Sequence, residues 1–209
     1  NLETNGHHVG FSLCRHGCEL PGGRFELALT GTHNVRNALG AIVIATHLGL
    51  ELRSQVEALS TFKGVERRQQ VIAKTAGITL IDDFAHHPTA VRETVSAIRE
   101  RYPEGRLFAI FEPRSATSSR SYFQTEYAKA FDAANEVIIA AVGRKEIPDA
   151  ERLDTEKLAT DTGGRQISEI DTIVTTLCNE AASGDTLLFM SNGGFGGIHQ
   201  KLLEALERR

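Results

Sequence analysis

Three short stretches carry the residue types that chemistry needs. The first, Asp82-Asp83-Phe84-Ala85-His86-His87-Pro88, sets two carboxylates and two imidazoles side by side. Such a set suits ribose hydroxyls, a substrate amine or a metal. It is also the pattern of a helix start, in which Asp82 or Asp83 caps the helix and both histidines are solvated. Zinc fits it poorly, because adjacent histidines point in different directions and no cysteine is near in sequence. The second stretch, Glu112-Pro113-Arg114-Ser115-Ala116-Thr117-Ser118-Ser119-Arg120, holds two arginines among hydroxyls. A guanidinium grips carboxylate or phosphate with two parallel donors, so the stretch suits an anionic ligand. A solvated loop reads the same way. The third, Ser191-Asn192-Gly193-Gly194-Phe195-Gly196-Gly197-Ile198-His199, lets backbone approach a ligand and opens N–H groups toward it. It is not a dinucleotide fingerprint. Gly194-Phe195-Gly196 supplies the first half, but His199 stands where the third glycine belongs, and that fingerprint belongs to the first strand–helix turn of a sheet.

Two weaker signals accompany these. Cys14-Arg15-His16-Gly17-Cys18, with His7 and His8 upstream, invites zinc, but the spacing is no standard knuckle and two thiols on a hairpin are the plainer reading. Arg67-Arg68 follows Gly64 at a change of pattern. The usual reading is solvated charge, although a junction is also where ligands bind between domains.

The elements that must position these residues fall into two regions. Residues 1–64 read as strands followed by a helix. His8–Leu13 and Arg24–Leu29 alternate polar and apolar, Leu20-Pro21-Gly22-Gly23 is turn chemistry, and the pair predicts a hairpin or meander. Gly31-Thr32-His33-Asn34 opens a helix, with Thr32 or Asn34 as cap, and Ala38, Leu39, Ala41, Ile42, Ala45 and Leu48 follow at helical spacing. A shorter helix is expected over Ser54–Thr61. From residue 65 to 209 strands and helices alternate. Strands are expected over Gln69–Lys74, Ile78–Asp83, Leu107–Glu112, Glu136–Val142, Gln166–Ser168 and Thr186–Ser191. Helices are expected over Pro88–Tyr102, Ser121–Ala134, Thr155–Asp161, Thr172–Ser183 and Gly197–Leu206. The first has Pro88 in its opening turn, where the lost N–H costs nothing, and Val91, Val95, Ile98 and Tyr102 on one face. Alternation of this kind predicts an α/β fold: a doubly wound, mostly parallel sheet of Rossmann type, preceded by a smaller α+β region. Ligands of such sheets bind at the carboxyl ends of the strands, which is where all three stretches fall.

Composition bounds the function. The 209 residues are 41% hydrophobic and 24% charged, enough to bury a core without disulfides or metal. A formal net charge of −4 argues against a broad basic surface for nucleic acid. No run of apolar residues is long enough for a transmembrane helix, and no signal-peptide pattern opens the chain. Three cysteines fit a reducing compartment and hence a cytoplasmic protein.

Taken together the motifs resemble the Mur ligase family, the ATP-dependent amide-forming enzymes of peptidoglycan assembly. Gly31-Thr32-His33-Asn34-Val35-Arg36-Asn37-Ala38-Leu39 is similar to the family's H-N-x-x-N-A signature, and Phe62-Lys63-Gly64-Val65-Glu66-Arg67-Arg68 to the hinge into its C-terminal domain. Asp82–Thr89 resembles the D-D-Y-G-H-H-P-T signature of the muramate–alanine ligases. Phe84-Ala85 in place of Tyr-Gly, Phe111-Glu112-Pro113-Arg114-Ser115 and Met190–Leu202 point to a sister branch. That branch joins UDP-N-acetylmuramate to the recycled tripeptide L-alanyl-γ-D-glutamyl-meso-diaminopimelate. The family's P-loop, G-x-x-G-K-[ST], is not in this sequence. The resemblance therefore implies the end of the central ATPase domain over residues 1–64 and the C-terminal domain over residues 65–209. The missing N-terminal and central parts of the same polypeptide would be partners, and the piece would be inactive alone.

The resemblance further implies a reaction and a set of roles. The muramate carboxylate takes the γ-phosphoryl of ATP, with magnesium held mostly outside this chain, and the peptide amine attacks the acyl phosphate. Asn37 would contact adenine, with Asn34 supporting the same helix start, Arg68 would reach the ribose–phosphate part and Asp83 would hold the ribose. His86 would stand near the incoming amine. Arg114 and Arg120 would hold the peptide carboxylates, with Ser191, Asn192 and Phe195 lining the same pocket. No metal ligands are expected among these residues. A muramate–L-alanine ligase, and a non-catalytic module that binds nucleotide or muropeptide, are the alternatives. Without the rest of the central domain, residues 1–64 would leave apolar surface exposed.

Overall fold

The computed structural model describes residues 2–4, 8–144 and 146–209. It divides into two compact units, Asn1–Val65 and Glu66–Arg209.

The first unit is a three-stranded antiparallel sheet with two helices. Strands β1 (Leu2–Thr4), β2 (Val9–Arg15) and β3 (Cys18–Leu27) lie in that order, and helices α1 (Thr32–His47) and α2 (Leu52–Thr61) follow. The hairpin turn falls at His16-Gly17, not at Leu20–Gly23 as the glycines suggested. His16 and Gly17 have φ of 52° and 81°, the pair of positive values that a two-residue hairpin turn demands. Leu20–Gly23 instead bulges out of β3, because the ladder steps from Ser12↔Arg24 to Cys14↔Glu19 across it. Phe11, Phe25 and Leu27 pack on Ala38 and Ile42 of α1. The outer face of α1 is apolar and uncovered, with Val43, Ile44 and Leu48 at 60, 63 and 72% exposure. Neither Thr32 nor Asn34 caps α1. Its N-cap is Gly31, with φ of 93°, and the Asn34 side-chain amide donates back to the Thr30 carbonyl at 2.8 Å.

The second unit is the doubly wound sheet. Its strands are β4 (Gln70–Thr75), β5 (Ile78–Asp83), β6 (Leu107–Phe111), β7 (Glu136–Ile139), β8 (Arg165–Gln166) and β9 (Thr186–Met190). Their order is β4-β5-β9-β6-β7-β8, with only β4 antiparallel to its neighbour. Alternation along each strand splits the core in two. Leu107, Ala109 and Phe111 of β6, with Leu188 and Met190 of β9, face α3 (Pro88–Arg101), α4 (Gln124–Ala128) and α5 (Thr155–Asp161). Phe108 and Ile110, with Leu187 and Phe189, face α6 (Ile170–Glu180) and α7 (Ile198–Glu207). These central strands are wholly buried and read as continuous apolar runs, as strands covered on both faces must.

Candidate functional site

Register gathers the three stretches. In β5, β9 and β6, Asp83 lies beside Met190 and Met190 beside Phe111. The next residues, Phe84, Ser191 and Glu112, therefore form one rim at the carboxyl ends, tied by Ser191 N–H to the Asp83 carbonyl (3.1 Å) and Glu112 N–H to the Met190 carbonyl (3.0 Å).

Asp83 faces inward. Its two carboxylate oxygens accept from the N–H of Gln69 (2.8 Å) and of Ala85 (2.7 Å), and the Thr94 hydroxyl lies 3.4 Å away. Asp83, which the resemblance assigns to the ribose, is 2% exposed in this structure and fixes the backbone on either side of Phe84. Neither aspartate caps α3; His87 does, with Nδ1 accepting from the Thr89 N–H at 3.4 Å. His86 is half-buried, with Nδ1 2.9 Å from the Phe84 carbonyl. A carbonyl only accepts, so Nδ1 carries the hydrogen, and in the neutral ring Nε2 holds the lone pair. The buried Tyr127 hydroxyl donates to the His86 carbonyl. Burial pushes that phenol well above its ordinary pKa, so it stays a donor.

Glu112 and Arg114 leave β6 together. The buried Glu112 carboxylate accepts from the Ser191 hydroxyl, whose oxygen in turn accepts from the Gly193 N–H at 2.9 Å. The other Glu112 oxygen is 3.7 Å from Arg114 Nη1. The Arg114 side chain runs in a slot between two glycines: a Cβ on Gly143 would come within 2.8 Å of its Cγ, and one on Gly193 within 2.4 Å of its Cδ. The guanidinium is half exposed at the slot's end. In the turn that carries Gly193, Asn192 Oδ1 is buried with no hydrogen-bond partner.

A second cluster, Arg67, Asp82 and His199, completes the rim. Arg67 Nε meets Asp82 Oδ2 at 2.9 Å, and Arg67 Nη2 donates to the carbonyls of Ser191 and Gly193, both at 2.7 Å. Its guanidinium lies 5.3 Å from the centre of the Phe84 ring. His199 Nε2 stands 3.6 Å from Asp82 Oδ1, and its ring sits edge-on to Phe189. Burial, helped by the Arg67 charge and opposed by Asp82, holds the His199 pKa below the usual imidazole value. The signal for Arg67 was present as the Arg67-Arg68 pair. His199 was noticed only as a missing glycine.

Other expected residues lie elsewhere. Phe195, expected in the peptide pocket, is fully buried against Phe189, where the 3-10 turn Phe195–Gly197 ahead of α7 places it in the core. Arg120 pairs with Glu151 and lies by Tyr122, apart from the strand-end contacts. Arg68 is exposed, with its guanidinium 5.5 Å from the Phe84 ring. Asn34 and Asn37 belong to the first unit, where Asn37 is exposed on α1. The thiols build no zinc site. Cys14 pairs across the hairpin with Glu19 and Cys18 with Arg15, which puts the two sulfurs on opposite faces. His7, considered with them, is outside the described residues. Among the described residues no three His, Cys, Asp or Glu side chains converge as a metal site. No helix there is long and apolar enough to cross a membrane.

The strand ends of a doubly wound, mostly parallel sheet thus present Arg114, Glu112, Ser191 and His86 together. Residues 67–193 fit the family described as Mur ligase, glutamate ligase domain. The chain belongs to the Mur ligase family of peptidoglycan ligases. It is 35% identical over 188 residues to the Escherichia coli UDP-N-acetylmuramate–L-alanyl-γ-D-glutamyl-meso-2,6-diaminoheptandioate ligase, covering 90% of this chain and 40% of that protein. It is 30% identical over 209 residues to the UDP-N-acetylmuramate–L-alanine ligase of Desulfitobacterium hafniense, covering 97% of this chain and 46% of that one. The crystal structure of a murein peptide ligase from Psychrobacter arcticus superposes with a TM-score of 0.68 at 30% identity, over 100% of this chain and 44% of that one. The chain thus spans less than half the length of the relatives it matches.

Proposed function

We propose that this chain is part of an ATP-dependent ligase joining UDP-N-acetylmuramate to L-alanyl-γ-D-glutamyl-meso-diaminopimelate, a cytoplasmic step of peptidoglycan recycling. The observation that carries this reading is the Arg114 slot. A half-exposed guanidinium, braced by Glu112 and flanked by two glycines, offers an anion two donors at the strand ends, where a peptide rich in carboxylates needs them. Free L-alanine offers such a donor a single α-carboxylate, whereas the tripeptide offers several.

ATP, when bound, supplies the phosphoryl group that activates the muramate carboxylate. On this chain Asn37 would meet adenine, Asn34 would fix the start of α1 beneath it, and Arg68 would meet the ribose–phosphate part. Magnesium and the phosphate cradle would come from residues outside this chain. His86 Nε2, with its lone pair free, would accept a proton from the incoming ammonium and leave an amine able to attack. Arg114 would hold a peptide carboxylate, while Ser191 and Asn192 line the pocket. Arg120 would lie farther out along the peptide, with its charge shared with Glu151. The 209-residue piece alone would not form the amide.

The alanine ligase reading stays in view because a relative of that name is 30% identical. A competition assay separates the two. The full-length polypeptide, given UDP-N-acetylmuramate, ATP and equal tripeptide and L-alanine, should consume the tripeptide. Exclusive use of L-alanine would replace the proposal with the alternative.

A further inference from the structure

The rim holds one buried acceptor that the protein leaves empty and one cation that fixes its surroundings. Asn192 Oδ1 is buried without a partner. The carbonyls on either side of Asn192, those of Ser191 and Gly193, both accept from the same Arg67 nitrogen at 2.7 Å. Arg67 is itself locked. It adopts φ of 57°, a strained value for a side chain with a Cβ. Its N–H donates to Gln70 Oε1 at 2.8 Å, and its carbonyl accepts from the Phe84 N–H at 2.8 Å. Its Nε binds a buried carboxylate, Asp82, whose other oxygen lies 3.6 Å from His199 Nε2. Arg67 therefore holds the glycine-rich turn at the peptide group ahead of Asn192 and at the carbonyl of the residue after it.

Resting on the tripeptide reading, we propose that Arg67 is a positioning residue for peptide recognition. It holds Asn192 Oδ1 as a preformed acceptor for an N–H of the peptide, an amide or the ammonium group. The acceptor complements Arg114: one group takes the ligand's donor and the other its carboxylate. Preorganisation matters because a side chain fixed before binding loses little freedom on binding. Lysine cannot replace Arg67, since one ammonium cannot span a carboxylate and two carbonyls in the fixed fork geometry.

Two measurements test this independently. In the full-length polypeptide, Arg67→Lys and Asn192→Ala should each raise the tripeptide KM about tenfold or more. The KM for ATP and the kcat should stay within about twofold, a split that a general loss of structure would not give. In the 209-residue chain, Arg67→Lys should speed hydrogen exchange of the Gly193, Gly194, Gly196 and Gly197 amides about tenfold while the thermal midpoint stays close to that of the wild type. If Arg67→Ala fails to fold, the lysine variant still reports. Unchanged exchange in Arg67→Lys overturns the clamp whatever the substrate is. Faster exchange with an unchanged tripeptide KM overturns the recognition role. If the enzyme uses only L-alanine, the functional reading fails while the exchange result still decides the clamp.

Discussion

Arg114 occupies the space that a side chain at Gly193 would need: a Cβ there would come within 2.4 Å of Arg114 Cδ and 2.6 Å of its Nε. The glycine is required by this close approach, not by its backbone angle. Gly193→Ala should therefore expel the flexible, half-exposed Arg114 side chain and leave the core intact. We expect tripeptide affinity to fall about tenfold, the loss of one charge-assisted contact, with little change in the thermal midpoint. The double variant Gly193→Ala/Arg114→Ala should bind no worse than Arg114→Ala alone, because both changes remove the same contact. Titration calorimetry on the three variants checks the expectation.

Asp185 is the structural anchor at the opposite end of the sheet. It accepts from the Ala182 N–H (2.8 Å), the Arg106 N–H (3.0 Å) and Arg106 Nη2 (2.7 Å). Burial pushes its pKa up, but the Arg106 and backbone hydrogen bonds outweigh it and hold the carboxyl below the ordinary value of 3.8. The stability it contributes is present above that value and is lost as pH falls through the lower native one. Asp185→Ala should cost about 2–3 kcal/mol at neutral pH. Urea denaturation at pH 7 and pH 3 should show a smaller acid loss in the variant than in the wild type.

His199 gives the same sign for a different reason: the fold disfavours its charged form instead of favouring it. Its pKa is lowered in the folded chain, first by burial and then by Arg67. The unfolded chain takes up the proton first, so stability falls as pH drops through the ordinary imidazole range toward the native value. Below the native value the penalty is constant. His199→Gln should flatten the change in unfolding free energy between pH 7.5 and pH 5, and equal slopes in the two proteins would contradict this.

Phe195 belongs to the core, so its truncation should read as a stability defect. Phe195→Ala should cost about 3–5 kcal/mol, measured by chemical denaturation. Ligand affinity measured well below the melting point should change far less than on Arg114→Ala.

The doubly wound sheet was legible because its strands are short apolar runs separated by amphipathic helices. Ile78–Asp83 and Thr155–Asp161 appear with the expected ends. Ser121–Ala134 does not remain helical: a 3-10 turn at Ser121–Phe123 and helix Gln124–Ala128 suffice. Beyond them, turns bury Ala130 and Phe131, which periodicity alone reads as another helical turn. The rim was legible in its residue types but not in their orientations. Nothing local distinguishes Asp82, facing Arg67 and His199, from Asp83, facing backbone N–H groups, since successive strand residues point to opposite faces and the sequence does not say which face holds what. Arg67 was hidden for another reason. Its positive φ is carried by a residue that sequence patterns never assign to the left-handed region. Its partners lie 124 and 126 residues away.

The most direct test of the account is calorimetric titration of the tripeptide, with L-alanine as control, into the full-length polypeptide holding UDP-N-acetylmuramate and a non-hydrolysable ATP analogue. The account predicts saturable tripeptide binding, no comparable binding of L-alanine, and a loss of about tenfold or more on Arg114→Ala. Tripeptide binding indifferent to Arg114→Ala, or L-alanine binding as tightly as the tripeptide, would contradict it.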